Sequence, residues 1–134
     1  MVKSIVEAIQ KAEAQTSAEI RVHLQHFCLG DALKKAKKQF YKLKMQRTRH
    51  RNAVLIFVAL KSRRFAIYGD EGIHRQAGDV FWGETRDKIA SYFSKGQIKE
   101  GIIAGIHSAG EKLAGYFPAG PHHPNELPDT VTED

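Results

Sequence analysis

The stretch Ala53-Val54-Leu55-Ile56-Phe57-Val58-Ala59-Leu60 is eight apolar residues without interruption. A strand with one face in water alternates apolar and polar residues, because successive side chains point to opposite faces. An unbroken run this short and this rich in β-branched residues is instead a strand covered on both faces. It demands packing elements above and below one sheet. A chain of 134 residues has enough material for one such domain.

The flanking segments supply the covering layers. Glu19 to Phe27 alternates, with Ile20, Val22 and Leu24 facing one way and Arg21, His23 and Gln25 the other, which predicts a strand with one more polar face. Asp31 can accept the free amides at the start of a helix whose apolar stripe is Leu33, Ala36, Phe40 and Leu43. The strand–helix–strand unit from Glu19 to Leu60 is expected to be a right-handed parallel crossover. Lys61-Ser62-Arg63-Arg64 is too short for a second crossover, so Phe65 to Gly69 is expected to return antiparallel.

Three further helices are predicted. One opens at Ser4, with Glu7 reaching back to cap it and Ile5, Ile9 and Ala12 as its stripe. A second runs from Asp79 to about Lys95, offers Phe81, Trp82, Ile89 and Phe93 for packing, and stops at Gly96. The third, Gln97 to Phe117, carries Ile98, Ile102, Ile106, Ala109 and Leu113, and its Gly101 and Gly105 allow a neighbour to approach closely. Glu100, His107, Glu111 and Lys112 exclude the reading of these glycines as a membrane dimer motif. The predicted order is α-β-α-β-β-α-α, a three-layer α/β/α sandwich on a mixed sheet.

All four prolines fall between Pro118 and Pro128, which places a domain over residues 1–117 and a Pro-rich acidic tail over residues 118–134. The tail is expected to be extended. No apolar run approaches the roughly 20 residues that span a bilayer. The N-terminal segment has no apolar block with a small-residue cleavage site, so a cytoplasmic location is expected. Cys28 is the only cysteine, which excludes an intrachain disulfide and a cysteine-built zinc site; between Phe27 and Leu29 it reads as a small buried hydrophobe.

Net charge is +6, and its distribution is uneven. Between Asp31 and Arg51 there are nine lysines and arginines and a single carboxylate. Lys34, Lys38 and Lys42 on the predicted helix form a basic surface that could dock an anionic partner: nucleic acid, an anionic membrane or an acidic protein. The alternative is a solvated face. Aromatic residues for base stacking are not interleaved on it.

Strand direction concentrates the other polar groups. Parallel pairing puts Glu19 and Arg51-Asn52 at one end of the sheet, and the antiparallel return brings Asp70-Glu71 to that same end. A hard cation such as Ca2+ or Mg2+ takes oxygen ligands, often from a glycine-bounded turn. Gly69-Asp70-Glu71-Gly72 offers Asp70, Glu71 and main-chain carbonyls, with Asp79 or Glu19 as further ligands. The competing reading is a strand exit in which Asp70 pairs with Arg51. His23 and His26 fall on opposite faces of one strand and cannot easily share a metal, and His122-His123 lies in the tail.

Several segments in order resemble the TPM domain family: Ala18 to Val22, Met45 and Thr48, Arg51 to Ile56, Phe65 to His74, Gly78, Phe81-Trp82, Glu84, Phe93 to Gly96, Gly110 to Leu113 and Asn125 to Asp129. The resemblance implies an α/β/α sandwich. Plant thylakoid relatives are associated with acid-phosphatase activity and photosystem repair, and some members bind divalent cations. On that basis Asp70 is the candidate nucleophile or base, Arg51 the group holding phosphate, and His74 a ligand or proton carrier. The same resemblance suggests that Leu127 docks onto the domain. Gly83 departs from the pattern, because relatives often carry an acidic residue after the tryptophan.

Overall fold

The computed structural model describes residues 1–78, 80–120 and 131–133. Its elements are α1 (Val2–Glu13), β1 (Glu19–Gln25), α2 (Ala32–Lys42), β2 (Ala53–Ala59), β3 (Arg64–Gly69), α3 (Glu71–Ala77), α4 (Gly83–Ser94), α5 (Ile98–Tyr116) and β4 (Val131–Glu133). The strands form one mixed sheet in the order β3-β2-β1-β4. β1 pairs parallel with β2, Glu19 opposite Ala53, and β2 pairs antiparallel with β3, Val54 opposite Gly69.

Every residue of β2 is buried, as its unbroken apolar run requires. Its even-numbered side chains, Val54, Ile56 and Val58, join Ile5 and Ile9 of α1, Ile89 and Phe93 of α4, and Ile102 and Ile106 of α5 in one core. Its odd-numbered side chains pack on the other face, where α2 supplies Ala36 and Phe40, followed by Met45. The result is three layers: α1, α4 and α5, then the sheet, then α2 with the turn that follows it. Close approach of α5 to α4 depends on Gly101 and Gly105. A Cβ at Gly105 would lie 2.6 Å from the Ile89 side chain, and one at Gly101 would lie 2.8 Å from the Phe93 ring.

Several local expectations need correction. α1 opens at Val2 with no side-chain cap, so Ser4 lies inside the helix rather than at its start. Leu33 is 52% exposed rather than on the buried stripe, because only Ala36 and Phe40 of α2 reach the sheet fully. The more polar face of β1 is also covered: His23 is fully buried and stacks on Phe57 at 5.7 Å between centroids. α4 begins at Gly83, with Trp82 at its cap position, rather than at residue 79. The capping role expected of Asp79 falls outside the described residues, as does Leu127. By contrast, the Asp31 cap forms, accepting from the amides of Leu33 and Lys34, and Gly96 closes the α4 end at φ 75°.

The C-terminal segment does more than trail away. Phe117 is tied back to the α1–β1 connection, its carbonyl accepting from the Ser17 amide at 2.8 Å and from the Thr16 hydroxyl. Beyond it, Val131–Glu133 joins the sheet as β4, parallel to β1. Thr132 places its hydroxyl 2.7 Å from His23 Nδ1, giving that buried imidazole a polar neighbour. A chain ending at Gly120 should therefore still fold but lose about 2 kcal/mol. Its melting temperature, followed by circular dichroism, should fall by about 5–10 °C.

Candidate functional site

The polar end of the sheet is built around Arg51. The connection after α2 turns through residues 44–50 and delivers Arg51 at φ 51°, a left-handed conformation that costs a non-glycine residue about 1 kcal/mol. That turn aims the guanidinium across the end of β3. Nε donates to Asp70 Oδ2 at 2.7 Å and Nη2 donates to Asp70 Oδ1 at 2.9 Å, a two-pronged pair, while Nη1 reaches Glu71 Oε1 at 3.2 Å. The Asp70 side chain is 1% exposed and that of Arg51 31%. The hydrogen bond to Asp70 is the main influence that raises the guanidinium pKa above its ordinary value, so Arg51 is a fixed positive charge.

Gly69-Asp70-Glu71-Gly72 is a strand-to-helix junction rather than a loop. Asp70 caps α3, its Oδ1 accepting from the Glu71 amide at 2.8 Å while its own amide donates to Ala53 at 3.0 Å. The carboxylate thus serves the helix start and the guanidinium together. A signal for α3 was present: an aspartate followed by Glu71 in a first turn, and Gly78 seven residues later at φ 83°. Gly72 is required by proximity. Its amide donates to the Arg51 carbonyl at 2.8 Å, and a Cβ there would fall onto the carbonyl oxygens of His50 and Arg51.

The residues expected at this end are gathered there, but unequally. Arg51, Asp70 and Glu71 touch. Glu19 sits across β2 from Asp70, since both lie opposite Ala53 on its two sides. That separates their main chains by two strand spacings, about 10 Å. Asn52 is buried, and neither atom of its amide meets a hydrogen-bond partner among the described residues. His74 is exposed on α3, one helical turn from Asp70. Among the described residues no three histidine, cysteine, aspartate or glutamate side chains are grouped to hold a metal ion; Asp79 lies outside them.

Two recesses were not visible in the sequence. On the α2 face, Lys35, Lys38 and Lys42 with Gln25 and Gln39 surround a recess of about 240 Å3 against Phe57. α2 packs over β2 and β3, and this recess lies beside its lysines at the Gln25 end of β1. None of these three lysines forms an ion pair among the described residues. The second recess, about 390 Å3, runs along β3 between α2 on one side and α3 and Trp82 on the other. In it, burial and then the neighbouring Tyr41 hydroxyl hold the Tyr68 phenol well above its ordinary pKa, so Tyr68 is a neutral hydroxyl rather than a base.

The domain is a mixed sheet sandwiched by helices, with an arginine-locked aspartate at the junction of β3 and α3. Residues 2–112 match the family model of the TPM domain, and the chain belongs to that family. It is similar to the BA42 protein from the psychrophilic bacterium Bizionia argentinensis, solved by NMR. The two share 44% identity with a TM-score of 0.92, over 98% of this chain and 91% of that one. No match is found among curated proteins.

The close approach at Gly72 gives a direct test of this local geometry. Gly72→Ala should destabilise the domain by about 2–3 kcal/mol, because main-chain carbonyls cannot swing aside as a side chain can. Urea unfolding of both proteins measures the difference.

Proposed function

We propose that this TPM domain is a non-catalytic docking module that receives an anionic group of its partner in the lysine recess of α2. The observation that carries this reading is the set of three lysines, Lys35, Lys38 and Lys42, that form no ion pair among the described residues and surround a recess with two glutamine amides. Charges left without partners keep their full attraction for an incoming phosphate or carboxylate. Lys34, exposed on the same helix, extends the positive field. Binding to vesicles containing anionic lipid, or to a short DNA duplex, should weaken steeply as salt rises. Lys38→Glu with Lys42→Glu should reduce affinity at least tenfold without lowering the melting temperature, since both side chains face water. Affinity indifferent to salt and to these charges would remove the proposal.

A second reading, that the acidic end binds a divalent cation, is favoured by one arrangement. Asp70 and Glu71 converge on a single positive group, and the neighbouring Asn52 amide is buried with both atoms unpartnered among the described residues. Ca2+ or Mg2+ there would compete with Arg51 for the same carboxylate oxygens. Arg51→Ala should then strengthen cation binding about tenfold and Asp70→Asn weaken it by at least as much, on the scale of about 1.4 kcal/mol each. Amide NMR shifts across residues 69–74 report both. The docking reading expects no hydrolysis of p-nitrophenyl phosphate with or without magnesium. Turnover lost in Asp70→Asn would instead assign a phosphatase, with Asp70, Arg51 and His74 in the roles their family resemblance implies.

A further inference from the structure

β3 is an edge strand, and its hydrogen-bonding phase determines what it offers to solvent. The Asp70 amide donates to the Ala53 carbonyl, which puts the pairs Tyr68–Leu55, Ala66–Phe57 and Arg64–Ala59 in the bonded phase of the antiparallel ladder. Phe65, Ile67 and Gly69 occupy the alternate phase, so their N–H and C=O groups point away from β2. Among the described residues no main-chain or side-chain hydrogen bond reaches them. An edge left open this way is a template for another strand unless it is covered or blocked. No proline and no bulge interrupts it.

Ile67, Tyr68 and Gly69 of this edge form the floor of the 390 Å3 recess, while Phe65 lies outside its lining. One wall is α2, where Leu33 and Tyr41 are 52% and 40% exposed. The other wall is Trp82 with Ile73. Each wall also carries a cation, Lys37 on the α2 side and Arg86 beyond Trp82, and neither forms an ion pair among the described residues. The one carboxylate at the recess among the described residues, Glu71, already faces Arg51 and Arg75.

We infer that the β3 edge binds an extended acidic peptide segment of a partner protein by strand addition, seated between α2 and Trp82. Main-chain bonds to Phe65, Ile67 and Gly69 would hold the segment. Alternate side chains of an added strand point to opposite faces, so one set meets Leu33 and Tyr41 and the other meets Trp82. Apolar side chains suit both walls, and carboxylates meet Lys37 and Arg86. The opposite edge of the sheet already takes a short strand of this kind, Val131–Glu133 on β1. This surface is distinct from the lysine recess, and the inference stands or falls separately from the docking proposal.

The test uses the full chain and the peptide acetyl-Glu-Glu-Val-Val-Glu-Glu-amide, which presents a carboxylate and a valine to each wall. Trp82 is the only tryptophan, so its emission reports binding at the groove without a label. The expected result is a saturable change in that emission, with hydrogen exchange slowed at the amides of Phe65, Ile67 and Gly69. The same peptide N-methylated at alternate residues cannot complete the ladder and should bind at least tenfold more weakly. Lys37→Glu with Arg86→Glu, both exposed, should weaken binding at least tenfold, and the lysine analogue of the peptide should not bind. Lys38→Glu with Lys42→Glu should leave binding within about twofold. Equal binding of the N-methylated peptide, unaltered exchange at the three amides, or loss of binding in the Lys38 and Lys42 variant would each overturn the inference. Concentration-dependent protection of these amides without peptide would also overturn it, since a second copy of the chain would then be the occupant.

Discussion

The ion pair between Arg51 and Asp70 ties together pieces of chain that the sheet alone would leave free. Asp70 ends β3, caps α3 and anchors its amide on β2, while Arg51 closes the long connection from α2. A carboxylate with 1% exposure cannot rely on water, so its two oxygens must be satisfied by protein donors. The guanidinium satisfies both in one plane, which an ammonium could not do. The left-handed backbone at Arg51 and the Cβ-free surface of Gly72 are local costs of that arrangement.

The unequal layers explain where surface features arise. Three helices cover one face of the sheet, and α2 with its following turn covers the other. A single helix cannot span four strands, since neighbouring strands lie about 4.8 Å apart and a helix is about 10 Å across. Recesses border α2 on both flanks. On the β1 flank its lysines border an open recess, and on the β3 flank its apolar Leu33 and Tyr41 border another. Leu33 is thus poorly placed for the core but well placed to line a groove.

Much of the architecture was legible because β2 admits only one environment. Its unbroken apolar run implied cover on two faces, and the lengths of its connections implied one parallel and one antiparallel neighbour, as found. The convergence of Arg51, Asn52, Asp70 and Glu71 followed from those directions. α3 was not read, because a glycine on each side of two carboxylates is also what a turn looks like; the buried Ile73 was the missing cue. β4 was missed for a different reason. Three residues carry no periodicity, and a polar segment such as Val131-Thr132-Glu133 joins a sheet only because β1 presents an edge to it. Neither recess was foreseeable, since each depends on where α2 lies over the sheet and not on any local pattern.

The lock at the sheet end is most directly tested by a double-mutant cycle on Arg51 and Asp70, using Arg51→Ala, Asp70→Ala and the double variant with stabilities from urea unfolding. The capping loss at α3 is common to the single and double Asp70 variants and cancels, leaving the pair itself. A coupling energy of about 2 kcal/mol or more in favour of the pair is the predicted result, with the double variant little worse than either single one. A coupling below about 0.5 kcal/mol would contradict it, placing the pair among surface contacts of no consequence.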